Sequence, residues 1–264
     1  MLRKGDLTQG GITGTLLHFT LPMMVGSFLQ QCYNIADTLI VGQCIGAGAL
    51  AAVGSAYTLM VFLISVLLGL AMGSGTVFSL HYGAGNHVAL RRSIFSSFVL
   101  IGIVTLILNV AVFIWLDPIL RLLQVPQDIY GMMRSYLWII FCGIVFTFIY
   151  NFYASLLRAV GDSVTPLWFL AVSVVLNIAL DLFFILQLDW GIQGAAAATV
   201  LAQGVAALGI IIYTYRRRPE LRWHHEDMCF DRTCLKEIAS FSTLTCIQQS
   251  VMNLGILMVQ GLVN

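Results

Sequence analysis

Seven apolar runs separated by short polar breaks divide the 264 residues, each near the roughly 20 residues that a helix needs to cross a bilayer. They predict helices at about Leu16 to Val41, Ala51 to Leu80, Ser93 to Leu116, Met132 to Leu157, Val164 to Leu186, Gly194 to Tyr215 and Ile238 to Val263. Gly83-Ala84-Gly85-Asn86, Asp117-Pro118, Pro126-Gln127-Asp128 and Gly161-Asp162-Ser163 supply the turn chemistry between them. Loops this short make successive helices antiparallel neighbours. The fold expected is all-α: a polytopic helical bundle integral to a membrane.

Composition agrees with that pattern. The chain is 59% hydrophobic and 9% charged, against about 25% charged in soluble domains, and its mean hydropathy is +0.91. A net charge of +1 offers no broad basic face, so nucleic acid is excluded as a partner and the lipid bilayer takes that place. Arg3 and Lys4 precede the first run without the short apolar core and cleavage site of a signal peptide, so the first helix should be retained. With the N-terminus inside, 11 of the 13 Lys and Arg residues fall on one side and only Arg121 and Arg134 on the other. The positive-inside rule then puts the N-terminus in the cytoplasm and the protein in the cytoplasmic membrane.

The longest loop, from Arg216 to Lys236, reads as a cytoplasmic linker. It divides a six-helix unit, residues 1–215, from a seventh helix within residues 237–264. That last run reaches Asn264 with no flanking charge, so the chain is expected to be a fragment. Phe19-Thr20 placed over Phe241-Ser242 pairs two similar entry segments, a weak sign of an internal repeat.

Candidate chemistry lies in the few polar residues inside the spans. Asp37 and Asp181 are the only two of the twelve acids placed there. A carboxylate in a span is costly unless it serves a cavity, a partner or an ion path; the bland alternative is a protonated acid making a structural hydrogen bond between helices. Asn177 is four residues before Asp181 and shares its helical face. Counting residues from the intervening turn puts Thr199 at similar depth on the next helix. On the first helix Gln30, Gln31, Asn34, Asp37 and Thr38 form a polar stripe, with Gln30, Asn34 and Thr38 as candidate cavity-lining residues. Both aspartates fall in the outer half of the bilayer. Two carboxylates close together in low dielectric cannot both stay ionised cheaply, so either one takes up a proton or the pair binds a cation.

Pro22 leaves a carbonyl unpaired early in the first helix, a bend point or a proline simply packed by its neighbours. Gly69, Gly73, Gly194, Ala198 and Ala202 recur at four-residue spacing and mark close helix packing. His224, His225, Cys229 and Cys234 fit no standard zinc spacing. The six cysteines include no CxxC and imply no disulfide framework.

Pro22, Gln30, Asn34 and Asp37, followed by Val41-Gly42, Gly46 and LAAVG from Leu50 to Gly54, resemble the opening of MATE (multidrug and toxic compound extrusion) antiporters. So do RAVGDSVTP from Arg158 to Pro166, NIALD from Asn177 to Asp181 and GAAAAT from Gly194 to Thr199, in order and almost throughout the chain. The resemblance implies the six-helix N-lobe of such a transporter plus a seventh helix, with the C-terminal lobe of the same protein absent. It also implies export of small-molecule organic cations and drugs, driven by Na+ or H+, with no other cofactor, no further metal and no enzymatic activity. Asp37, Asn177, Asp181 and Thr199 would match the coupling site, and Pro22 the bend of the first helix. A lipid-linked oligosaccharide flippase of the same superfamily is the alternative, but its cavity would carry Arg or Lys, which no span holds deeply here. An intramembrane aspartyl protease would need YD and GxGD, which do not surround these aspartates.

Overall fold

The computed structural model describes residues 12–223 and 232–263. Eight α-helices carry the described chain: α1 Ile12–Cys44, α2 Ala47–Gly83, α3 His87–Leu122, α4 Gln127–Cys142, α5 Ile144–Ala159, α6 Val164–Leu182, α7 Gly191–Arg217 and α8 Arg232–Val263. A single π turn, Phe183–Gln187, continues α6, and a 3-10 turn, Pro219–Leu221, follows α7. All seven expected helical segments are present; six outrun their apolar runs, α6 with the help of its π turn, and the fourth is split in two.

Two boundaries differ from expectation. The fourth helix is broken into α4 and α5, which meet at 47° across Gly143. Asp117-Pro118, read as a turn, lies inside the last turns of α3. Asp117 there accepts from Tyr130 Oη and Arg134 Nε of α4, both at 2.8 Å, which ties the extended end of α3 to the next helix.

Among the described residues, α2, α3, α6 with its π turn and α7 are long and apolar enough to cross a membrane singly, and α4 and α5 reach that measure only when taken together as one bent pair. α1 and α8, of 33 and 32 residues, have the length. Polar residues dilute their hydropathy: the Gln30 to Thr38 stripe in α1, and Lys236, Glu237, Gln248 and Gln249 in α8.

The core runs along α2, α3, α4 and α5. Phe98 stacks among Phe148, Phe152 and Trp223 with ring centroids 5.3 to 5.5 Å apart, so the first residues after α7 fold back under the bundle. Asp162 accepts from Thr165 N at 3.0 Å at the start of α6 and from Arg218 Nη2 at 3.4 Å. The turn before α3 needs Gly85, whose φ of +68° favours glycine, and Asn86 then caps α3 by accepting from Ala89 N at 3.0 Å.

The most extensive helix pair is α2 with α8. A Cβ on Gly69 would stand 2.5 Å from Cys246 Cα, and one on Gly73 would meet the Ser242 backbone as closely. The two backbones therefore touch, as small-residue packing allows. Ser242 Oγ donates to Leu70 O and Cys246 Sγ to Val66 O, each at 3.3 Å. Ala198 and Ala202 of α7 are buried in the bundle, and a Cβ on Gly194 would press on Phe184 at 3.1 Å. The expected small-residue positions thus serve helix packing.

Candidate ion-coupling site

Helical spacing does most of the assembly here. Tyr33 and Asp37 share a face of α1, Asn177 and Asp181 share a face of α6, and each pair is four residues apart. α1 packs on α6, and α6 on α7, which delivers Thr199. Asp181 sits one residue before the end of α6, where the π turn Phe183–Gln187 begins, the kind of local irregularity that recurs at functional sites.

All four expected residues come together out of solvent: Asp37 is 8% exposed, Asn177 1%, Asp181 0% and Thr199 9%. Asp37 of α1 and Asp181 of α6 face the same buried cluster, near enough for each to act electrostatically on the other. With its amide oriented to satisfy its neighbours, Asn177 donates to Asp181 Oδ2 at 2.9 Å and accepts from Thr199 Oγ1 at 3.3 Å and Thr199 N at 3.2 Å. Tyr33 Oη meets Thr199 Oγ1 at 3.3 Å. Asp37 Oδ1 and Asp181 Oδ1 are both buried with no hydrogen-bond partner.

That geometry restricts the chemistry. Two ionised carboxylates close together, out of water, repel and are desolvated at once. The arrangement becomes favourable with a proton shared between them or a cation on their open oxygens. The donor set is oxygen-rich, with two carboxyls, a threonine hydroxyl and a tyrosine hydroxyl, which suits a hard cation as well as a proton. Among the described residues no group of three or more His, Cys, Asp and Glu could hold a metal ion. His224, His225 and Cys229 of the zinc-like loop lie outside the described residues, and Cys234 is buried against Ser93 Oγ at 3.2 Å.

Of the cavity-lining candidates, Gln30 lines a cavity of about 20 Å³ beside the site, with Tyr33, Ser173, Thr199 and Gln203. That volume holds about one water. Asn34 donates to Gln31 Oε1 at 3.1 Å and Thr38 to Asn34 O at 2.7 Å, so both bond within α1. Pro22 lies inside α1, which is assigned as helix from Ile12 to Cys44.

Two residues were not anticipated from the sequence. Tyr33 precedes Asp37 by one helical turn, so the same spacing that links Asn177 to Asp181 is the signal that could have found it. Tyr136 of α4 is buried within electrostatic reach of Asp37, Tyr33 and Asp181, and nothing local to α4 marks it.

Comparison with known proteins bears on the family and the fold. The chain is 37% identical to the probable multidrug resistance protein YpnP of Bacillus subtilis, over 82% of its own length and 49% of that protein. It is 31% identical to the multidrug export protein MepA of Staphylococcus saprophyticus, over 76% of its length and 45% of that protein. The chain thus spans about half the length of these curated relatives. In fold it matches the outward-facing conformation of a multidrug resistance MATE family transporter of the MOP superfamily, with a TM-score of 0.90 at 24% identity over 97% of this chain and 57% of that one. An inward-facing conformation of such a transporter matches with a TM-score of 0.80 over 91% of this chain and 55% of that one. The MatE family model matches residues 22–183, which hold Pro22, Asp37, Asn177 and Asp181, and the chain belongs to the MatE family.

Proposed function

We propose that this chain is the ion-coupling part of an antiporter that exports organic cations across the cytoplasmic membrane, driven by Na+ or H+ and with its N-terminus in the cytoplasm. The observation that carries the reading is two buried carboxyl groups in one polar cluster, each with one buried oxygen unpartnered. Such a pair exchanges a proton or a cation as its surroundings change. Asp37 and Asp181 carry the ion, Thr199 and Asn177 complete and orient the site, and α1 is the element that responds.

Coupling follows from competition. Among the described residues Asp37 and Asp181 are the only buried residues of charged type, and no Lys or Arg is buried. A cationic cargo is therefore drawn to the site while the pair is negative and is released when a proton or Na+ neutralises it. The ion and the cargo bias one equilibrium in opposite directions, as linkage requires. The multidrug names of the relatives support a broad set of small molecules. An anionic lipid-linked sugar would need cationic side chains here, which favours the drug exporter over the flippase. The full transporter requires the second lobe that this chain's relatives have room for, with residues 216–236 as the connection.

The test is ethidium efflux from energised vesicles carrying the full-length protein, under separate Na+ and H+ gradients. Asp37→Asn and Asp181→Asn should each lower gradient-driven efflux about ten-fold or more, under whichever gradient drives the wild type. Full efflux in both variants would sink the proposal.

A further inference from the structure

A helix interrupted inside a bilayer needs partners for the backbone groups at the break. At the 47° break between α4 and α5, the carbonyl of Phe141 is taken by Asn109 Nδ2 at 2.8 Å. Asn109 sits in the middle of α3, 9% exposed, and no step of ion exchange uses it.

On the other side of the break lies α7. The Val200 side chain fills the place where a side chain at Gly143 would be: a Cβ there would stand 2.6 Å from Val200 Cγ1, 3.0 Å from Val200 Cβ, and closer still to Cγ2. About one turn further on, Thr147 Oγ1 of α5 donates to Gln203 Oε1 of α7 at 2.7 Å. The break is therefore a saddle in which α7 is seated. The residue adjoining Val200 is Thr199, whose contacts with Tyr33 and Asn177 are already long at 3.3 Å.

Resting on the ion-site reading above, we infer that Gly143 and Asn109 are positioning residues for that site: they seat α7 in the α4–α5 break so that Thr199 stands within bonding distance of Asn177 and Tyr33. Neither touches the ion. A methyl group at position 143 needs contacts of about 3.5 to 4 Å, so Val200 must retreat by about an ångström, and Thr199 with it. Losing the Asn109 amide frees the Phe141 carbonyl and lets the end of α4 turn, which disturbs the same seat.

The experiment uses the full-length protein in proteoliposomes with ethidium as cargo, and reads the driving-ion concentration that gives half-maximal efflux. Gly143→Ala should raise it about five-fold while the maximal rate stays near wild type. Adding Val200→Ala, which removes the clashing methyl groups, should return it toward the wild-type value. Asn109→Leu should shift it in the same direction, and Asn109→Gln, which keeps an amide donor, should shift it less. A simple loss of packing would lower the melting temperature and the yield of active protein without moving the half-saturating ion concentration. Should Gly143→Ala fail to fold, Asn109→Leu carries the test alone. Unchanged half-saturation in the folded variants, or a Gly143→Ala shift that Val200→Ala does not reverse, overturns the inference while leaving the ion site intact. Wild-type efflux indifferent to both gradients overturns the ion-site reading and this inference with it.

Discussion

Thr199 is the junction of the candidate site, since its hydroxyl faces both Tyr33 and Asn177 at 3.3 Å. Thr199→Val keeps the shape of the side chain and removes the oxygen. It should weaken ion-driven ethidium efflux by raising the half-saturating ion concentration about ten-fold, whereas Thr199→Ser should stay near wild type. Equal loss in both variants would mean that the methyl group and its packing matter more than the oxygen. Both aspartates were legible in the sequence because an acid inside an apolar run has so few structural reasons to be there. Asn177 followed from helical spacing, and Thr199 from counting depth on antiparallel neighbours. Tyr136 was not legible: it comes from α4, a helix with no polar stripe to mark the face it turns to the site.

At the scale of the helix, apolar runs located every element, while their ends and breaks depended on tertiary partners. Gly143 reads in the sequence as one more glycine in a span; what makes it a break is Val200 pressing from α7 and Asn109 supplying a donor from α3. α3 runs through Pro118 because Tyr130 and Arg134 fix Asp117 from the neighbouring helix. Small-residue spacing, by contrast, pointed correctly at close packing, and α2 with α8 makes that checkable. Gly73→Leu forces a large side chain into the Ser242 backbone, at a cost of at least about 1–3 kcal/mol. It should lower the melting temperature and raise the maleimide reactivity of Cys246 in a background where the other cysteines are Ser, because the Cys246 Sγ contact with Val66 O is lost. A wild-type labelling rate in Gly73→Leu would show that α8 is not seated on α2 by this contact.

For the whole molecule, chain order and packing draw different lines. Chain order separates α8 from the helices before it by a connection shorter than the expected linker at residues 216–236, since Arg216 and Arg217 end α7 and Arg232 to Lys236 open α8. Packing attaches α8 to α2 through the most extensive helix pair in the described structure, and to α3 through Ser93 and Cys234. His81 Nε2 of α2 lies 3.7 Å from Glu237 Oε2 of α8. A segment that sequence places at the start of a second lobe is thus in close contact with the helices of the first. An exporter that opens alternately to each side must keep or break that contact at each cycle, and a covalent link across it would distinguish the two. Ser93 Oγ and Cys234 Sγ are 3.2 Å apart, so Ser93→Cys places a second sulfur within a small rotation of the 2.03–2.05 Å disulfide bond length. Oxidation of the full-length variant should join the peptides containing positions 93 and 234, as read by mass spectrometry, and dithiothreitol should part them. If ethidium efflux stops on oxidation and returns on reduction, the α3–α8 contact opens during transport; if the crosslinked protein still transports, α8 moves as one body with the helices before it.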